Sequence, residues 1–286
     1  MTERYLGLNG ELVDHDIMSR MAGVGLIRGE YLCRLFGDYI TCKKVRDGIR
    51  NYIATLSEHT KDKEVWYRLI DMESSEVNTL EGCDITLYEK SPMMGLRGAG
   101  RALKIPETFD LEVTMLIECA KQNPNVHVII SYVTSVAQFE MLAARIRELG
   151  FPNKIGAMIE TPAMALDLTE FTSAQLFVVG LNDLRSLCLG IARDRLAVDE
   201  IPGSVMTLLR HCITIAASKN IPLHVAGYIG SDIFKKLEAA GVEVVVVHYS
   251  HLNKVFPEDF ESLDDEMDYK KMKNEVRARV GDPAIR

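Results

Sequence analysis

Long apolar runs are missing from this chain. Stretches such as Val244–Val247 are far too short to cross a bilayer, and the mean hydropathy is +0.01, so a membrane-spanning segment is not expected. The opening MTERYLGLNG lacks the charged-then-apolar pattern of a leader. The six cysteines are scattered with no CxxC pair, which argues against a disulfide framework or a zinc cage and for a reducing, cytoplasmic setting. Positive charge is not in excess either. With 33 Lys+Arg against 41 Asp+Glu the formal net charge is −8, which speaks against nonspecific nucleic-acid binding but leaves room for a local basic pocket. Low-complexity tracts and short repeats are absent. What is present is an ordinary globular composition, 47% hydrophobic and 26% charged over 286 residues. That length suits two average domains or one α/β barrel.

A short β-rich apolar run, a turn and a helix-period segment recur along the chain. Strands are expected at Tyr5–Leu8, Gly23–Ile27, Val65–Ile70, Val126–Tyr132, Lys154–Ile159, Leu176–Leu181, Leu223–Ala226 and Val242–His248. Most are continuously apolar, as parallel strands covered on both faces should be. Ser135 and Gln138 read as a capping box opening a helix over Val136–Leu149 that closes at Gly150, and Ser231–Ala240 reads as an amphipathic helix ending at Gly241. Eight strands with interposed helices predict a (β/α)8 TIM barrel in the α/β class, with a doubly wound sheet as the structural rival. Residues 1–256 form the expected barrel. Residues 257–286 turn charged and read as a helix or tail appended to it. The segment Ile70–Pro106 is long for a β-to-α connection, and loops of that length often carry function.

In such a barrel the C-terminal ends of the strands form the active site. Strand two ends in Arg28. Strand three ends in Arg68 with Asp71 close behind, strand five in Glu160, and strand six in Asn182-Asp183. Arg97 comes from the long loop and Arg193 follows strand six. Taken singly, each is as readily a surface or salt-bridge residue. Together they place several cations and two carboxylates at one mouth. Two carboxylates from adjacent strand ends suit an oxygen-liganded Mg2+ that completes its shell with water and substrate. Guanidinium forks suit phosphate and carboxylate groups. The implied substrate is a small, multiply negative oxyacid chelated to a divalent ion.

These segments resemble the C-terminal PEP/pyruvate-binding barrel of the PEP-utilizing enzymes, the PEP synthase branch most of all, with pyruvate phosphate dikinase and enzyme I of the sugar phosphotransferase system beside it. GVGLIRGEYL (23–32) resembles the family's GIGLLRxEFL. YRLIDMESSEVNTLEG (67–82) resembles VRLSDFKSNEYxNLxGG, and SPMMGLRGAGR (91–101) resembles NPMLGxRGAGR. MIETP (158–162) is similar to MxEIP, and VVGLNDLRSLCLGIARD (178–194) to SIGSNDLTQLxLGxDRD. The resemblance implies a TIM barrel of the PEP/pyruvate type, an Mg2+ cofactor held by Glu160 and Asp183, and a phosphate held by Arg28, Arg68 and Arg193. It makes Arg97 another active-site arginine, sets Asn182 beside the phosphate and gives Asp71 the task of orienting Arg68. It also implies a homodimer.

The family's acid/base cysteine lies in GICGQxPSD, where this chain has HVAGYIGSD (224–232) with Ala226 at the cysteine. Alanine cannot deliver a proton, a step for which a positioned acid contributes roughly 10²–10⁴-fold. Tyr228 and His224 are the nearby polar candidates to replace it. The family's IPF at the fourth strand is SYV here (131–133), so the pocket wall differs. No counterpart of the family's nucleotide-binding domain or of a TxHxA-type phosphohistidine segment is found. Three readings follow. The first is the substrate subunit of a split phosphotransferase (kinase-type transferase) acting on pyruvate, PEP or another small acceptor, with a separate ATP-grasp and phosphohistidine protein as partner. The second is a stand-alone Mg2+-enolate lyase or aldolase-type enzyme. The third is a non-catalytic PEP- or pyruvate-binding subunit.

Overall fold

The computed structural model describes residues 2–60, 62–196 and 200–260, together with Glu275. Eight parallel strands close into a barrel in chain order: β1 (Glu3–Leu8), β2 (Gly23–Arg28), β3 (Val65–Arg68), β4 (Val126–Ile130), β5 (Ile155–Ile159), β6 (Leu176–Gly180), β7 (Leu223–Ala226) and β8 (Val244–His248). The barrel is therefore the observed fold, and the doubly wound alternative is excluded. The strand residues are buried almost throughout, as the unbroken apolar runs require. Alternate residues fill the interior: Tyr5, Leu26, Trp66, Ile129, Met158, Val178 and Val246 pack into one inner cluster, while their neighbours face the surrounding helices.

Several strands end sooner than their apolar runs suggest, each for a local reason. β3 stops at Arg68 because the backbone N–H of Ile70 is taken by the Glu112 carboxylate (3.1 Å) rather than by a neighbouring strand. β4 stops at Ile130 because Tyr132 has φ +43°, outside the extended region. β6 stops at Gly180 because Leu181 opens a helix, Leu181–Leu189. Asn182 and Asp183 thus sit in the first turn of that helix and not on the strand.

The expected helices are present as Val136–Glu148 and Ser231–Ala239. Ser135 caps the first by accepting the Gln138 N–H at 3.3 Å. The reciprocal half of the capping box is displaced by one residue, since Gln138 Oε1 accepts from the N–H and hydroxyl of Thr134 (3.1 and 2.9 Å). The long segment after β3 is more ordered than a loop. It holds short helices at Ser74–Val77 and Gly98–Lys104 and a tight turn at Pro92–Met94. It is stapled by Arg101 to Asp84 and by the paired hydrogen bonds between Asn78 and Leu87. Beyond residue 256, Pro257–Phe260 is helical, with Phe260 buried in the main core and Asp259 paired to Arg4. The remainder of the expected charged tail, apart from helical Glu275, lies outside the described residues.

Candidate active site

The strand ends open into a cavity of about 420 Å3. Arg28, Arg68, Asp71, Arg97, Glu160, Asn182, Asp183, Arg193 and Tyr228 all line it, and so does Ala226. Residues spread over two hundred positions of sequence meet there because each follows, or nearly follows, a strand at the same end of one barrel. Register makes this concrete. Arg28 pairs with Arg68 across β2 and β3, and Gly180 pairs with Ala226 across β6 and β7. His224 is placed elsewhere. It is buried two residues below Ala226 with its ring 4.9 Å from Tyr5, inside the barrel and away from the cavity lining.

The charges are arranged unevenly. Arg97 and Asp71, both buried, form a bidentate pair with two contacts of 2.7 Å, and Arg97 also stacks over the Tyr132 ring at 4.2 Å. Asp71 therefore orients Arg97. Its contact to Arg68 is a loose 3.8 Å, and the residue that holds Arg68 is the buried Glu30. Burial pushes the Asp71 carboxyl up, but the Arg97 and Arg68 guanidiniums outweigh it and keep the group ionised. Arg193 is partly exposed and reaches Asp183 at 3.3 Å. Arg28 has no ion pair among the described residues. It lies 4.5 Å over the Tyr31 ring, and burial together with nearby Arg68 lowers its pKa. A half-buried cation whose neighbouring carboxylates, Glu30 and Glu11, make no ion pair with it is incompletely compensated, and an anion in the cavity would add to that compensation.

Glu160 is almost completely buried and accepts the Tyr132 N–H at 2.9 Å. Burial first, and then the neighbouring Asp183 and Asp71 carboxylates, raise its pKa to about 8. Asp183 Oδ1, the oxygen that Arg193 approaches at 3.3 Å, is buried and accepts no hydrogen bond among the described residues. Two crowded carboxylates, one raised in pKa and one with an unsatisfied oxygen, fit a divalent cation with hard oxygen preferences. Among the described residues no group of three or more His, Cys, Asp or Glu is placed to hold a metal, so most of its shell would come from substrate and water. Unsatisfied buried atoms continue round the rim: Asn9 Oδ1, Glu30 Oε2, Arg68 Nε and His248 Nε2 have no hydrogen-bond partner. Unmet polar groups are rare in a finished core, and these belong to residues that line the cavity.

Sequence reasoning missed Glu30, Asn9, His248 and Ser250. The strand pattern held a signal for His248. Val244 and Val246 point inward, so period-two alternation puts residue 248 on the same face at the open end. No local signal marks Glu30, whose partner Arg68 is 38 residues away.

A family model described as PEP-utilising enzyme, PEP-binding domain, matches residues 10–255. Phosphoenolpyruvate synthase of Pyrococcus furiosus is 28% identical over 229 residues, covering 73% of this chain and 28% of that protein. A multiphosphoryl transfer protein of Xanthomonas campestris pv. campestris is 29% identical over 233 residues, covering 78% and 27%. The chain thus spans little more than a quarter of the length of these curated relatives. Among solved structures, pyruvate kinase from Pyrobaculum aerophilum superposes with a TM-score of 0.50 at 14% identity, covering all of this chain and 72% of that one, a likeness of fold alone.

Proposed function

Because the chain belongs to the family of PEP-utilising enzymes, matching their PEP-binding domain, we propose that its barrel binds PEP or a small α-keto acid together with Mg2+ and serves as the substrate subunit of a phosphotransferase. One observation carries this reading: Arg28, a cation with no ion-pair partner among the described residues, and the crowded carboxylates Glu160 and Asp183 line the same cavity. A keto acid chelating a divalent ion presents negative oxygens to the arginines and oxygen ligands to the metal. Glu160 and Asp183 would hold Mg2+, which supplies positive charge beside the substrate oxygens.

The protein's own groups do the rest. Arg97 is locked by Asp71 and Arg68 by Glu30, so both guanidiniums are preorganised and need no reorientation when charge develops. Arg28 and Arg193 are less restrained and would close on a phosphate or carboxylate as it arrives. The reading includes a separate ATP-using, phosphohistidine-carrying protein as phosphoryl donor, and two copies of the chain associated through the barrel. Ala226 carries no titratable group, which favours an acceptor that needs no protonation at carbon, unless another residue supplies the proton. A lyase- or aldolase-type reaction on the same ligand set is the second reading, favoured by the same alanine.

Oxalate, a planar mimic of enolpyruvate, should raise the melting temperature when added with Mg2+, because a ligand that binds only the folded state stabilises it by mass action. Asp183→Ala should remove that shift and leave the barrel folded. An unchanged shift in the variant, or none in the parent at millimolar ligand, rules the reading out.

A further inference from the structure

The cavity wall at the exits of β7, β8 and β1 carries none of the residues assigned to anion or metal. Its floor is apolar: Ala226 pairs with Val246 across β7 and β8. His248 stands two residues beyond Val246 on the same inner face and, like Ser250, lines the cavity. Ser250 Oγ lies 2.7 Å from His248 Nδ1, and the Ser250 backbone N–H donates to that same nitrogen at 3.2 Å. A backbone N–H can only donate, so Nδ1 is the acceptor nitrogen and the ring proton is on Nε2. Nε2 faces Glu11 Oε1 at 3.6 Å, and both atoms are buried with no hydrogen-bond partner.

Glu11 is fixed in place. The chain turns back at Gly10, whose φ of +114° suits only glycine, so that Glu11 Oε2 accepts the Asn9 N–H, while the Glu11 carbonyl accepts the Tyr52 hydroxyl at 2.7 Å. A hydroxyl bonded to an imidazole that is backed by a carboxylate is the arrangement by which a weak hydroxyl becomes a proton carrier. A turn cap would need only the Ser250 N–H; it explains neither the serine hydroxyl against the same nitrogen nor the buried carboxylate behind the ring.

We propose that Ser250, His248 and Glu11 form an acid–base relay that moves a proton to and from the carbon next to the carbonyl of the keto acid bound in this pocket. The inference rests on the keto-acid reading above and supplies the group that Ala226 lacks. In the forward direction a C–H proton passes to Ser250 Oγ as that oxygen gives its own proton to His248 Nδ1. The C–H electron pair becomes the carbon–carbon double bond, and the carbonyl π pair moves onto oxygen, where the arginines face it. The imidazolium formed is balanced by Glu11 across Nε2. The reverse sequence protonates an enolate. Burial, with Arg28 and His251 nearby, lowers the His248 pKa to about 3, so the resting ring is neutral and its protonation at Nδ1 depends on the Glu11 carboxylate facing Nε2. Burial raises the Glu11 carboxyl, which lets it share the Nε2 proton.

The test follows deuterium from solvent into the methyl group of pyruvate by NMR, using the full chain with Mg2+, beside oxalate binding by calorimetry. The parent protein is expected to exchange the methyl protons. Ser250→Ala and His248→Gln should slow exchange roughly 10²–10⁴-fold while oxalate affinity stays unchanged, and Ser250→Thr, which keeps a hydroxyl, should restore much of the rate. Exchange at the parental rate in Ser250→Ala overturns the relay. So does a parent that binds oxalate but incorporates no deuterium. Failure to bind oxalate at all defeats the pocket reading itself, and the relay with it.

Discussion

Arg28 and Arg97 look equivalent in the sequence, each an arginine in a glycine-flanked motif, yet their surroundings predict opposite costs of removal. Arg97 satisfies both oxygens of buried Asp71, so Arg97→Ala leaves a buried carboxylate with only the loose 3.8 Å contact to Arg68 and should destabilise the fold by about 3–5 kcal/mol. Arg28 has no ion pair among the described residues, so Arg28→Met removes a half-buried charge that no carboxylate holds and should leave the melting temperature level or higher. The same change should weaken oxalate binding about tenfold or more, since a hydrogen bond to a charged group is worth roughly 1.5–3 kcal/mol. Thermal melts beside calorimetric titration check both arginines. A loss of stability in Arg28→Met equal to that in Arg97→Ala would contradict the distinction. The positions of Arg28, Arg68, Glu160 and Asp183 at the mouth were legible because each follows a strand. Which carboxylate holds which arginine was not, because Glu30 and Asp71 lie in different segments and only packing selects their partners.

At the level of elements, the passage from β6 into the helix Leu181–Leu189 shows how backbone geometry builds the carboxylate pair. A Cβ added to Gly180 would sit 2.7 Å from Glu160 Cγ and Oε1, so the strand end approaches the neighbouring carboxylate as closely as a glycine permits. Gly180→Ala should therefore displace Glu160 and abolish the Mg2+-oxalate melting shift while the barrel stays folded, as circular dichroism would show. A full shift in that variant would mean that the spacing is not needed for binding. The helix after Ser135 was legible from its cap and from Gly150, both local signals. The early ends of β3 and β4 were not. They depend on Glu112, reaching over from the helix Pro106–Gln122, and on the left-handed backbone of Tyr132, and neither leaves a mark in the run of apolar residues.

For the molecule as a whole, the buried carboxyls set the pH response. Burial raises the Glu112 pKa to about 8, against 4.5 for the free group. Between those values the folded chain keeps a proton that the unfolded chain has released, so stability falls as pH rises through that window and levels off above it. Glu112→Gln keeps an acceptor for Tyr67 and Ile70 without the charge. Its melting temperature should therefore drop less than that of the parent between pH 5 and pH 9. Equal slopes would show that Glu112 stays ionised in the fold.

By itself the sequence determined an α/β fold of eight buried parallel strands, since continuous apolar runs separated by amphipathic segments need cover on both faces; closure into a barrel, against the doubly wound rival, came from the structure. The sequence also determined the chemical character of the mouth, because strand ends in a closed barrel converge whatever their distance along the chain. Only the tertiary structure decided the pairings: Arg97 with Asp71, Arg68 with Glu30, and His248 between Ser250 and Glu11. Such contacts join residues from separate strands and loops, and a side chain's partner is fixed by where the closed barrel brings it, a long-range quantity that no local pattern encodes.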